Sequence, residues 1–78
     1  MTDKRIEVIT YSGYRGEERP KAFFLHDTRI EVMEILNMWI EEEIDKRVRK
    51  RFFKVRGSDR NIHEIYCDEK TLEWLYKE

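Results

Sequence analysis

Between Lys46 and Arg56 the chain gathers Lys46, Arg47, Arg49, Lys50, Arg51, Lys54 and Arg56 around the adjacent rings of Phe52 and Phe53. Cationic side chains neutralise phosphates and release counterions, and an exposed ring stacks on a base. The composition therefore suits single-stranded nucleic acid. If residues 52–56 are extended, Phe53 and Val55 face one way and Phe52, Lys54 and Arg56 the other, because successive side chains of a strand alternate. Lys50, Arg51, Phe52, Lys54 and Arg56 are then the candidate contacts. The competing reading is a solvated face, since Glu41, Glu42, Glu43 and Asp45 precede the run and can neutralise it.

A second candidate is the loop Tyr11-Ser12-Gly13-Tyr14-Arg15-Gly16. Tyr14 offers a stacking ring and Arg15 an anion grip, on a backbone that glycines leave accessible. The Lys-Ser/Thr ending of a phosphate-binding P-loop is missing and no helical pattern follows, so the expected role is a turn. His63 and Cys67 are four apart in a predicted strand, about 13 Å at ~3.3 Å per residue, too far to share a metal ion or act as a nucleophile pair. No carboxylate pair stands out for acid–base work. The expectation is a chain with no catalytic residues, no metal and no cofactor.

Seventy-eight residues are one domain with a thin core, too small for an ordinary substrate cavity beside it. There are 16 basic and 17 acidic residues, net charge −1, which weakens long-range attraction to nucleic acid. Charged residues reach 42%, but aromatics at 13% argue against disorder. A single cysteine, Cys67, excludes an internal disulfide and suits a reducing compartment. With neither a leader pattern nor a long apolar run, a soluble cytoplasmic protein is expected.

The elements that must position these residues are strands. Residues 5–12 predict a first strand, Ile6 and Val8 on one face and Ile9 and Tyr11 on the other. That change of phase is what a bulge or a barrel corner produces. Residues 13–20 form the main loop, 21–25 a second strand, and His26-Asp27-Thr28 a tight connection. Phe53–Arg56, Ile62–Cys67 and Leu72–Tyr76, separated by polar turns, read as an antiparallel meander.

The middle supports two readings. Val32, Ile35, Leu36, Trp39, Ile40 and Ile44 fall at helical spacing, Thr28 and Glu31 fit a capping box, and Glu42–Lys46 and Glu43–Arg47 stand four apart. Against a long helix, Phe23-Phe24-Leu25 and Ile30-x-Val32 look like the two arms of a hairpin. Residues 29–38 are therefore expected as a strand kinked near Met33-Glu34, with helix confined to 40–49. The predicted fold is a mainly β domain, a small antiparallel barrel or strongly curved sheet of five or six strands, loosely of the Src-homology-3 kind.

Tyr11-Ser12-Gly13-Tyr14, Glu18-Arg19-Pro20, Phe23 or Phe24, Ile30-x-Val32-x-x-Ile35-Leu36-x-x-Trp39, Phe53-Lys54-Val55, Ile65 and Trp74 together resemble a small family of prokaryotic cytosolic β-domains. A similar module stands at the C-terminus of some DNA-damage-response proteins related to Y-family polymerases. The resemblance implies an all-β fold with no assigned activity and no catalytic residues to carry over. His26-Asp27 and Arg60-Asn61 depart from it, standing where a glycine is expected. The functional expectation is a non-enzymatic binding module whose partner is single-stranded nucleic acid or a DNA-repair assembly. The alternative is a protein-interaction or self-association domain using apolar outer-face residues and an open strand edge. A homodimer would draw on Ile9, Tyr11, Ile62 and Tyr66. No membrane partner is expected.

Overall fold

A computed structural model describes residues 3–11 and 19–78. Its strands are β1 (Lys4–Ile6), β2 (Val8–Thr10), β3 (Pro20–Leu25), β4 (Thr28–Glu43), β5 (Val48–Gly57), β6 (Ile62–Asp68) and β7 (Glu73–Tyr76). All neighbours are antiparallel, in the order β1-β7-β6-β5-β4-β3-β2. Only Glu7 separates β1 from β2, so the two ends of the sheet are joined by the chain itself and the sheet curls into a nearly closed barrel. The count is seven strands, not five or six. The predicted first strand breaks at Glu7, and its halves pair at opposite ends of the sheet: Ile6 opposite Trp74, and Val8 opposite Phe23. Ile6 and Val8 both pack on the core, and the register shifts between Ile9 and Thr10, a bulge where a phase change is expected.

The core is Phe23, Ile30, Phe53, Val55 and Ile65, with Leu25, Val32, Ile35, Trp74 and Tyr76 packed around it. Each such side chain withdrawn from water contributes roughly 1.5–3 kcal/mol. Phe53 and Val55 are fully buried on the inner face, as alternation along β5 requires.

The helix expected over 40–49 is absent. β4 runs on to Glu43, and residues 44–47 form a four-residue turn into β5, with the Arg47 N–H donating to the Ile44 carbonyl at 3.3 Å. Two physical facts explain the helical appearance of the sequence. β4 carries register shifts between Val32 and Glu34 and between Ile35 and Asn37. Each bulge inserts one residue, so the positions that face inward are 30, 32, 35, 38 and 40, and spacings of three appear in a strand. The acid-then-base order that stands Glu42 and Lys46, and Glu43 and Arg47, four apart also sets acids opposite bases across the hairpin, where the pairs are different ones, Glu41 beside Lys50 and Glu42 beside Arg49. Tertiary pairing decided between the two. The kink expected near Met33-Glu34 is the first of these bulges.

Four turns among the described residues take left-handed backbone without glycine, and two of them are the turns where glycine is expected. His26 and Asp27, at φ 51° and 63°, form the two-residue loop between Leu25 and Thr28, and Arg60 has φ 67°. Both of the positions where glycine is expected therefore carry the conformation that glycine adopts without strain.

Candidate functional site

β4 is longer than its neighbour on one side. It pairs with β5 from Val32 to Glu43, but with β3 only from Thr28 to Glu31. Beyond Glu31, no strand among the described residues covers its second edge. Such an edge presents a row of backbone donors and acceptors to whatever lies beside it. The Met38 N–H accordingly turns to its own neighbour and donates to the Asn37 side-chain Oδ1 at 2.9 Å. That bond shows which way the backbone faces. With Met38 directed to the free edge, alternation directs Trp39 to β5 and Ile40 to the free edge again.

Side chains along this edge are apolar on both faces. Met38 is 43% and Ile40 45% exposed, on the inner face beyond the closed part of the barrel. With Phe53, Trp39, Arg19, Arg49 and Arg51 they line a groove of about 340 Å³. The two β5 guanidiniums are shared among carboxylates: Arg49 lies 3.5 Å from Glu42 and 3.4 Å from Glu69, and Arg51 3.7 Å from Glu69. Arg19, on the rim, has no ion pair among the described residues. On the outer face, Trp39 stacks on Phe52 (5.3 Å, 7° between planes) and Phe52 on Tyr66 (4.7 Å). This column crosses β4, β5 and β6 and ends at Trp39, on the open edge. The Trp39 Nε1–H donates to Glu41 at 3.0 Å, which fixes the indole.

The predicted contact residues are divided by this arrangement. Lys50, Phe52, Lys54 and Arg56 share the outer face as expected, but Arg51 points into the inner groove. Phe52 is 4% exposed, sandwiched between Trp39 and Tyr66 with the Lys77 ammonium over its ring, so it has no free face for a base. Arg56 is held by Glu34 at 2.8 Å, and Lys50 sits over the Tyr66 ring. Lys54 has no ion pair among the described residues. Tyr14 and Arg15 lie outside the described residues. Of the residues expected at a dimer surface, Tyr11 and Ile62 are exposed and Ile9 is half-buried, whereas Tyr66 is buried. Its hydroxyl donates to Asp3 at 2.6 Å, and burial, that bond and the nearby negative charges of Asp3 and Asp68 push its pKa up. Met38, Ile40 and Arg19 are the groove residues that sequence reasoning missed. The signal available for Met38 and Ile40 was the crowding of apolar residues at both parities in 35–40.

A second polar constellation lies inside the barrel. His63 is 6% exposed, edge-on to Phe23 at 5.2 Å, between Asp59 and Tyr76. A carboxylate only accepts, so Nε2 carries the proton and donates to Asp59 at 3.0 Å, while the Tyr76 hydroxyl donates to Nδ1 at 2.7 Å. Burial, with the charges of Asp59 and Glu78, pushes Tyr76 up, the opposite of an activated phenol. Burial also works to raise Asp59, but hydrogen bonds from the Asn61 backbone, from His63 and from the Asn61 side chain hold it below the usual range. The chain of bonds ties the 58–61 turn to β6 and β7. Among the described residues no group of His, Cys, Asp and Glu is placed to hold a metal ion, and no helix is long and apolar enough to cross a membrane.

Compared with known proteins, the chain matches no family model, no curated protein and no solved structure.

Proposed function

We propose that this chain is a non-enzymatic binding module that receives its partner as an extended segment along the open edge of β4. The observation that carries the reading is the run of β4 beyond Glu31 that no strand among the described residues covers, with Met38 N–H capped by its neighbour's side chain. Strand addition draws affinity from main-chain hydrogen bonds and specificity from pockets that take alternate side chains. Here the groove beside Met38, Ile40 and Phe53 is such a pocket, and Arg19 on its rim favours an acidic group next to the inserted apolar one. A protein of a DNA-repair assembly would be received in this way.

The test is selection of short linear peptides from a displayed library, counter-selected against the Ile40→Lys variant. Selected peptides alternate apolar and polar residues and shift the amide resonances of Asn37–Glu43. Peptides that bind without shifting those amides would refute the proposal.

Lys54 favours a second reading. It stands on the outer face near Lys50 with no ion pair among the described residues, so single-stranded nucleic acid laid across β5 is the alternative occupant. Under that reading oligothymidylate binds with a salt-dependent affinity that charge reversal at Lys54 weakens. Affinity undetectable at low salt removes it.

A further inference from the structure

We infer that the segment received by β4 is the same strand of a second copy, paired antiparallel about a two-fold axis at Trp39. The inference rests on the strand-addition reading above and names its partner.

The register follows from three constraints. The first is backbone direction. Met38 and Ile40 turn their N–H and C=O groups to the free edge, and Trp39 turns its own to β5. With Trp39 opposite Trp39 of the second copy, each Met38 faces Ile40 of the other and the two exchange both backbone hydrogen bonds. The two-fold repeats that exchange. The Met38 N–H passes from its Asn37 cap to a main-chain carbonyl, which frees the Asn37 carboxamide to donate to Glu41 across the interface.

The second constraint is facing. A two-fold axis perpendicular to the sheet maps inner face onto inner face. Met38 and Ile40 point inward, and Asn37, Trp39 and Glu41 outward, so centring on Trp39 matches every position from 37 to 41. The bulges between Val32 and Asn37 reverse the parity before that stretch, so registers centred nearer the bulges set inward positions against outward ones.

The third is charge. β4 ends in Glu41-Glu42-Glu43, and acids set opposite acids would repel. Centred on Trp39, Glu41 faces Asn37, Glu42 faces Leu36 and Glu43 faces Ile35, so no carboxylate opposes another. The inner row then joins the exposed Met38 and Ile40 of both copies. On the outer row the column Tyr66–Phe52–Trp39 continues through the axis into Trp39, Phe52 and Tyr66 of the second copy, closing the one end left open in the monomer.

Sedimentation equilibrium and cross-linking test this together. The wild-type chain is expected to sediment as a dimer. Ile40→Lys, shown by circular dichroism to keep its β spectrum, weakens the dimer about a hundredfold, since each substitution acts twice across the axis. Met33→Lys, exposed but outside the paired stretch, leaves the dimer intact. On a Cys67→Ser background, Trp39→Cys forms an intermolecular disulfide, because directly opposed residues lie within bonding reach. Asn37→Cys does not, as its counterpart is four residues displaced, about 13 Å along the strand. A monomer that still takes selected peptides along β4 overturns the second-copy inference and keeps the strand-addition reading. A dimer that cross-links at Asn37 rather than Trp39, or that Ile40→Lys leaves unchanged, overturns the register.

Discussion

Replacing Tyr76 by Phe isolates a single buried hydrogen bond. The substitution removes the hydroxyl that donates to His63 Nδ1 at 2.7 Å and leaves the ring, so its packing against Phe23 at 6.3 Å persists. His63 is 6% exposed, so bulk water has no ready path to replace the lost donor. The acceptor nitrogen is stranded, and an unsatisfied buried group costs about 1–3 kcal/mol. A loss near the middle of that range, about 2 kcal/mol, lowers Tm by roughly 8–16 °C in a domain of this size. Urea unfolding followed by tryptophan fluorescence reads the loss as a lower midpoint at unchanged slope. The partner measurement is a double-mutant cycle with His63→Phe. Once both polar ends are gone, Tyr76→Phe should add little, giving a coupling of at least about 1 kcal/mol. Nitrogen chemical shifts should also show the Nε2–H tautomer. If Tyr76→Phe unfolds within about 0.5 kcal/mol of wild type and the cycle shows no coupling, the donor–acceptor assignment is wrong.

Gly57→Ala destabilises for a reason of space. A Cβ there would lie 2.6 Å from Ile30 Cγ2 and 2.6 Å from Asp59 Oδ1, displacing a buried side chain and the carboxylate that His63 needs. Overpacking costs about 1–3 kcal/mol and a stranded imidazole N–H about as much again, both read by thermal melts. Leu72→Gly has the opposite sign. Leu72 closes the 69–72 turn at φ 62° with its side chain in solvent, so relieving left-handed strain should outweigh the added unfolded-state entropy by roughly 0.5–1 kcal/mol. Arg47→Gly, at φ 53° and at the same position of the 44–47 turn, should gain similarly, and chemical denaturation checks both. Asp59 titrates lower in the folded state than in the unfolded chain, so its contribution is present above the usual carboxylate range and is lost as pH falls through it. Asp59→Asn should flatten that acid limb of the stability curve, measured by denaturation across a pH series below about pH 5.

Much of the fold is legible in the residues. Phe53-Lys54-Val55-Arg56 alternates, so its inward and outward sets follow from strand geometry alone, and burial agrees. The change of phase within residues 5–12 announced a bulge, and the register shifts between Ile9 and Thr10, but the break at Glu7 that sends β1 and β2 to opposite ends of the sheet was not legible there. Residues 40–49 were beyond local reasoning. Spacings of two and three along a doubly bulged strand imitate a helical stripe, and acid–base pairs serve a helix and a hairpin equally well. Only the partner strand β5 distinguishes them.

The candidate site divides the same way. Composition by itself settled that cations and aromatic rings crowd into the β5 region, because side-chain identity fixes charge and ring count. Tertiary packing decided which of them are free. It closed the Phe52 ring between Trp39 and Tyr66, turned Arg51 to the opposite face from Lys50, and left one edge of β4 without a strand neighbour among the described residues. Exposure and hydrogen-bond supply belong to the arrangement of strands rather than to any one of them, and the edge that a short β3 leaves open cannot be read from β4's own residues.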